Sequence, residues 1–264
     1  MASPDRTQMF RHSTACRVTV GYSTDIGCRR DTNEDCVQLT EPSDPAVITA
    51  KGLLLIVADG MGGSEAGEVA SRIAAHVISV SYYASTAKPA EALKIAFQEA
   101  NSEIRRFAFD RPDWRGMGTT ATAVAIVNGL AFCAHVGDSR LYLVRAGRIY
   151  RMTEDHSAVN EMVKRGAISQ DEARRHADRN VILRALGGGD NIETALWNEP
   201  MSVGTGDRIV ACTDGLHDVV ADDEIRRAAE DGGPPWACEQ LVALARQRGG
   251  PDNITVAIAA MEAA

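Results

Sequence analysis

The sequence predicts an α+β fold built on antiparallel sheet, and three observations carry that prediction. Gly116–Met152 is a run of short apolar strands joined by tight turns, a meander rather than a βαβ series. Ala66–Val80 and Pro89–Phe107 each keep a helical apolar period, so two amphipathic helices should lie antiparallel on one face of a sheet. Apolar runs such as Leu53–Ala58 and the segment 207–213 read as buried strands, and each stops at an Asp-Gly pair.

Taken in order, residues 1–15 are polar, and 1–16 is expected to be a flexible N-terminus ahead of one domain over 17–264. Arg17–Tyr22 reads as a first strand, followed by the charged stretch Arg29–Asp35 and an apolar segment, Cys36–Leu39. Pro42–Pro45 reads as a turn before the central strand. In the meander, Asn128-Gly129 is the residue pair favoured in type I′ hairpins, joining Thr119–Val127 to Leu130–Val136. From Thr153 to Arg179 the chain is polar, with a capping box at Ser169–Glu172, and reads as a surface subdomain that covers something. Asp222–Glu230 and Trp236–Arg246 read as helices, and Ile254–Ala259 as the last strand.

Composition removes several function classes. The 264 residues carry a net charge of −8, which argues against nucleic acid as a partner. No apolar stretch approaches the roughly 20 residues of a membrane span, and no apolar h-region follows the N-terminus. Six cysteines are scattered without a C-x-x-C pair, which points to free thiols in a reducing compartment, the cytoplasm.

The stretch Leu53–Ser71 places a carboxylate, Asp59, at the mouth of a buried strand beside glycines. Four readings compete there. The Rossmann fingerprint fails because Glu65 stands where the third glycine belongs. Gly62-Gly63-Ser64-Glu65-Ala66 nearly matches a nucleophile elbow. Asp59 as a cation ligand is the third, and a plain strand–turn–helix connection is the fourth.

The rest of the chain bears on the choice. Asp214, Asp252 and Asp138 repeat the same grammar of apolar strand, Asp and Gly. Carboxylates gathered at one end of a sheet repel one another unless cations bind them. Oxygen ligands without histidine pairs suit Mg²⁺ or Mn²⁺ rather than zinc. No cysteine has an arginine six residues later, so the C-x₅-R signature of cysteine phosphatases is missing.

Eight motifs occur in order: Arg30-x-x-Asn33-Glu34-Asp35, Asp59-Gly-Met-Gly-Gly-x-x-x-Gly67-Glu68-x-Ala-Ser71, Gly118-Thr119-Thr120, Val136-Gly-Asp-Ser-Arg140, Asp155-His156-Ser157, Arg184-Ala-Leu-Gly187, Asp214-Gly-Leu-x-Asp218 and Gly249-Gly-x-Asp252-Asn253. Over roughly residues 17–260 the chain resembles bacterial members of the PP2C-type (PPM) metal-dependent protein serine/threonine phosphatases. The resemblance implies a four-layer α/β/β/α sandwich, two central antiparallel sheets each covered by a pair of helices. It implies two Mn²⁺ or Mg²⁺ ions, possibly a third, and hydrolysis of phosphoserine and phosphothreonine by a metal-activated hydroxide. By matching position, Asp59 bridges both metals, the Gly60 carbonyl binds one, and Asp214 and Asp252 complete the first. Glu34 and Asp35 act on or through the second metal's waters, Asp138 with Asp214 matches a third-metal site, and Arg30 matches the phosphate-binding arginine. The segment of about 153–185 matches a flap beside the cleft.

The implied partners are phosphorylated proteins, a Ser/Thr kinase and its substrates, acted on by a monomer. Met61 stands where eukaryotic members carry a His thought to protonate the leaving group. His156 is then a candidate acid, set against a structural histidine at the strand–flap junction and a metal-bound water. Asn180 is a further candidate to reach a third metal. Two rival functions are a metal-free phosphoprotein-binding module and a metal-dependent esterase or nuclease on the same acidic edge.

Overall fold

The computed structural model describes residues 8–12, 16–62, 64–109 and 111–263. Its strands are β1 (Gln8–His12), β2 (Cys16–Asp25), β3 (Asp35–Thr40), β4 (Leu53–Met61), β5 (Gly118–Thr119), β6 (Ala121–Val127), β7 (Leu130–Val136), β8 (Arg140–Arg145), β9 (Arg148–Arg151), β10 (Ala195–Leu196), β11 (Met201–Ser202), β12 (Arg208–Cys212) and β13 (Ile254–Glu262). Its helices are α1 (Pro45–Lys51), α2 (Ser64–Ala84), α3 (Pro89–Phe109), α4 (Ala158–Lys164), α5 (Gln170–Ala173), α6 (Asp214–His217), α7 (Asp222–Glu230) and α8 (Pro234–Gln247).

Alternation within single strands sets the layers. In β4, Leu54 and Ile56 pack under α2 and α3, whereas Leu53, Leu55 and Val57 turn to the other sheet. In β12, Ile209 and Ala211 join that inter-sheet core, while Val210 and Cys212 face α7 and α8. β13 does the same, with Ala257 and Ala259 inward and Val256 and Ile258 outward. A strand apolar on both faces must be covered on both, so the chain stacks helices, sheet, sheet, helices.

One sheet runs β1-β2-β13-β12-β8-β9 and the other β10-β7-β6-β4-β3, with β11 beside β7 and β5 beside β4. Every pairing is antiparallel. The expected four-layer α+β sandwich is the observed one. At the Asn128-Gly129 turn both residues have positive φ, 50° and 78°, the type I′ geometry that matches strand twist.

Two segments differ from the sequence expectation. Gln8–His12, read as part of a flexible terminus, pairs with β2 and covers what would be an unpaired sheet edge. The Pro42–Pro45 turn continues into α1, because Asp44 caps it by accepting from the Ala46 N–H and Pro45 fixes the first turn.

Candidate metal centre

The two sheets converge at one end, and each carboxylate arrives there on a different element. Asp35 opens β3 and lies directly opposite Asp59 near the end of β4. Asp214 begins α6 just beyond β12, Asp252 precedes β13, and Asp138 sits in the loop that carries the chain from β7 to β8. The apolar strands hold these ends rigidly, so the charges cannot relax apart.

Backbone and hydroxyl contacts fix each group. The Asp59 N–H donates to Thr120 Oγ1 (2.9 Å), and the Thr120 N–H returns a bond to the Asp59 carbonyl (2.8 Å). Thr213 Oγ1 donates to Asp35 Oδ2 (2.9 Å), linking the sheets. Arg30 reaches Asp252 at 2.7 Å with its guanidinium half exposed, so further N–H donors face solvent. Glycine is required at residue 60, whose backbone closely approaches that of Gly67. A Cβ at Gly60 would lie 2.1 Å from the Gly67 carbonyl oxygen, and one at Gly67 would lie 1.9 Å from the Glu34 carboxylate.

The electrostatics are those of crowded like charges. Burial, then Asp35, Asp214, Asp138 and Asp252, raise the Asp59 pKa well above the usual carboxylate value. Asp35 is pushed up to about 7 by burial and by Asp214 and Asp252, against hydrogen bonds from Thr255 and Thr213. Asp138 rises to about 7 through burial, Asp155 and Asp218. Asp214 does likewise through burial, Asp138 and Asp218. Burial also raises Glu34.

One oxygen on each of Asp35, Asp138 and Asp214 is buried without a hydrogen-bond partner. Among the described residues, no three His, Cys, Asp or Glu side chains close into a tight cage. Unpartnered carboxylate oxygens in an open arrangement fit small hard cations, which take one or two carboxylates and keep their waters. The residues therefore fit the divalent ions that the sequence implies.

Residues 27–163 match the family model described as Protein phosphatase 2C. Over 247 residues the chain is 34% identical to protein phosphatase PhpP of Streptococcus pneumoniae, covering 92% of this chain and 97% of that protein. The chain belongs to the protein phosphatase 2C family. It is also 37% identical to serine/threonine protein phosphatase PstP of Mycobacterium tuberculosis over 240 residues, 89% of this chain but 43% of that protein, so it spans less than half of that relative. The crystal structure of Mycobacterium tuberculosis PstP superposes with a TM-score of 0.83 at 35% identity, covering 93% of this chain and 99% of the other. A PstP catalytic domain in complex with two manganese ions superposes at 0.81 and 34% identity, covering 94% and 100%.

In this PP2C chain the candidate residues do not all gather in one place. Asp35, Asp59, Asp138, Asp214 and Asp252 influence one another's charge, and Arg30 and Glu34 stand at the rim beside Asp252. His156 stands apart, its ring tilted against that of buried His135 with centroids 4.9 Å apart. Its Nδ1 accepts from the Gly137 N–H (3.1 Å), and the His156 backbone N–H donates to the Gly137 carbonyl (2.7 Å). Burial, Arg184 and Lys164 lower its pKa, and the bond its Nδ1 accepts ties the flap to the Asp138 loop. Arg140 and Arg184 pair with Asp155 and Glu193.

Two residues here had no role assigned from sequence. Asn253 accepts from the Glu34 N–H (2.8 Å) and donates to the carbonyls of Ile26 (3.0 Å) and Thr32 (2.9 Å), clamping the loop that presents Arg30 and Glu34. Buried His217 donates through Nε2 to the Asp138 carbonyl (3.1 Å), and its Nδ1 faces Asp218 at 3.4 Å. The Asn beside Asp252 was visible as part of a motif. His217 occupied a variable position within one and gave no such signal.

Proposed function

We propose that the chain is a divalent-metal-dependent protein serine/threonine phosphatase, acting on phosphorylated proteins and opposing a Ser/Thr kinase in a reducing compartment. The observation that carries this reading is the meeting of carboxylates from both sheets, three of them with a buried, unpartnered oxygen. Family membership and the manganese-bound PstP neighbour support the same reading.

Asp59, the Gly60 carbonyl, Asp214 and Asp252 would hold the first ions, Glu34 and Asp35 would act on or through their waters, and Asp138 with Asp214 would hold a third. When bound, such ions supply a more acidic water near neutral pH and shield the charge of a phosphoryl group. Arg30 binds and orients the phosphate: Asp252 fixes one nitrogen, and the remaining forked donors match phosphate oxygens. Asn253 and Ser71, the latter donating to the Glu34 carbonyl (2.6 Å), keep the Glu34 loop against β4. Overall, water attacks the phosphomonoester, the P–O bond to the side chain breaks, and alcohol and inorganic phosphate leave. Four of the six cysteines are disfavoured as nucleophiles, because burial raises the Cys36, Cys133, Cys212 and Cys238 thiols away from the reactive thiolate.

His156 is best read as a positioning residue, since its Nδ1 already accepts the Gly137 N–H and burial disfavours its protonated form. Among the described residues no helix is long and apolar enough to cross a membrane. The test is release of phosphate from a phosphothreonine peptide with Mn²⁺. Turnover that stops on chelation and returns with metal supports the reading, and no turnover with Mn²⁺ or Mg²⁺ on several phosphopeptides removes it.

A further inference from the structure

One of the two sheets ends on β3, and that edge starts in the metal centre. Asp35, the first residue of β3, faces Asp59 across the pair with β4, so the strand leads from the carboxylates out along the margin of the sheet. All of β3 is half-buried, whereas its neighbour β4 is buried from Leu53 to Ala58. Among the described residues no strand lies on its far side.

The register fixes which backbone groups this edge offers. Just before β3, the Gly60 N–H donates to the Glu34 carbonyl (3.2 Å). Bonding alternates along an antiparallel pair, so Cys36, Gln38 and Thr40 turn their N–H and C=O groups to β4, and Asp35, Val37 and Leu39 turn theirs outward. The Asp35 N–H is taken by Asn33 Oδ1 (3.1 Å). What remains at the edge is the Asp35 carbonyl and both backbone groups of Val37 and of Leu39.

Such an edge is normally blunted by charge, proline or brevity. The far edge of the same sheet is built from two-residue strands, β10 and β11, and β9, an edge of the other sheet, carries Arg148 and Arg151. Beyond Asp35, β3 reads Cys-Val-Gln-Leu-Thr, with no charge, proline or glycine. Val37 and Leu39 sit half-buried at the margin of the inter-sheet core with Tyr22, so an added strand covers apolar surface as well as backbone. It would lie about 4.8 Å from β3, and a residue opposite Asp35 would stand beside the metal centre. That continuity selects the substrate chain as the occupant over a second copy of the protein.

We propose that β3 is a peptide-binding edge: the stretch of substrate preceding the phosphorylated residue adds to it as an antiparallel strand, bonding to Val37 and Leu39 and delivering the phosphate past Asp35 to the carboxylates and Arg30. β3 runs away from the centre, so an antiparallel partner runs toward it, and residues on the N-terminal side of the phosphate are the ones that pair. Every pairing already in this sheet is antiparallel, and that arrangement is slightly the more stable. Recognition is through the main chain, so preferred sites end extended, proline-free segments, since proline lacks the N–H. This rests on the phosphatase reading above and deepens it.

The test is a phosphothreonine peptide extended on both sides, methylated at one backbone nitrogen at a time and assayed with Mn²⁺. Methylation at alternate residues before the phosphate should raise KM about 3- to 10-fold each, as loss of one hydrogen bond does, and elsewhere change it less than about 2-fold. Leu39→Pro removes one outward N–H at a position where an edge strand tolerates proline. It should raise KM for the extended peptide by a similar factor, while Leu39→Ala, which keeps the N–H, binds as wild type does. p-Nitrophenyl phosphate, too small to touch the edge, should be turned over equally by all three and reports that the variants fold. If Leu39→Pro does not fold, the methylation series on wild type decides alone. Equal sensitivity at every position overturns the proposal, as does alternation confined to residues after the phosphate, or wild-type KM in a folded Leu39→Pro. A wild-type dimer in sedimentation that Leu39→Pro renders monomeric gives the edge to a second copy and overturns it too. Failure of wild type to hydrolyse p-nitrophenyl phosphate and every peptide removes the phosphatase reading, and this proposal with it.

Discussion

Replacing Asp214 by Asn should stabilise the metal-free protein and remove its response to manganese. In the metal-free fold the Asp214 carboxyl is pushed up to about 7 from the usual 3.8, first by burial and then by Asp138 and Asp218. The unfolded chain ionises at the usual value. Below about pH 4 both states keep the proton and the group makes no difference. Between about pH 4 and 7 the unfolded chain releases a proton that the fold retains, so stability falls as pH rises, and the loss is complete above about 7. A rise of about 3 pKa units at about 1.4 kcal/mol each sets a ceiling of about 4 kcal/mol. One Asp214 oxygen is buried but the residue as a whole is only half-buried, and screening at its open side reduces this to about 1–3 kcal/mol. For a chain of this size each kcal/mol moves the midpoint by about 2–3 °C, so the variant should melt about 2–9 °C above wild type at about pH 8 in chelator. Near pH 4 the two should coincide. Saturating Mn²⁺ should raise the wild-type midpoint and leave the variant nearly unmoved. Scanning calorimetry at both pH values, with and without metal, measures all of this. An Asn variant no more stable than wild type at pH 8 in chelator would refute the claim that these carboxylates repel in the fold.

Four further outcomes are expected. Asp59→Asn should keep its far-ultraviolet circular dichroism while phosphopeptide turnover falls about 100-fold or more, since the charge lost is coupled to four other carboxylates. Arg30→Ala should raise KM for a phosphopeptide by about 10-fold and shift stability by less than about 0.5 kcal/mol, because its pair with Asp252 is largely exposed. Gly60→Ala should destabilise by about 2–4 kcal/mol in denaturant titration, the new Cβ meeting the Gly67 carbonyl oxygen at 2.1 Å. His156→Asn should leave both limbs of the pH–rate profile in place with less than about a 10-fold drop in kcat, and loss of the alkaline limb would instead mark His156 as the proton donor.

Much of the fold was legible locally. A period of 3.6 over Pro89–Phe107 and the apolar runs of β6 and β7 are properties of short windows, and Asn128-Gly129 names its own turn. α1 escaped because seven residues are too few to display a period, and its cue was one capping Asp. β1 escaped because pairing with β2 decides it, and its own sequence carries no strong strand preference.

The sequence by itself determined that rigid apolar strands would end in aspartates, because hydrophobic patterning and the Asp-Gly breaks are written within a few residues of each other. It also determined the family, through eight ordered motifs. Tertiary structure alone decided that Asp35 faces Asp59, that Thr213 reaches Asp35, that Asn253 clamps the Arg30 loop and that His217 holds Asp138. These contacts join residues 24 to 219 positions apart. Their partners are selected by sheet register and layer packing, which no local window contains.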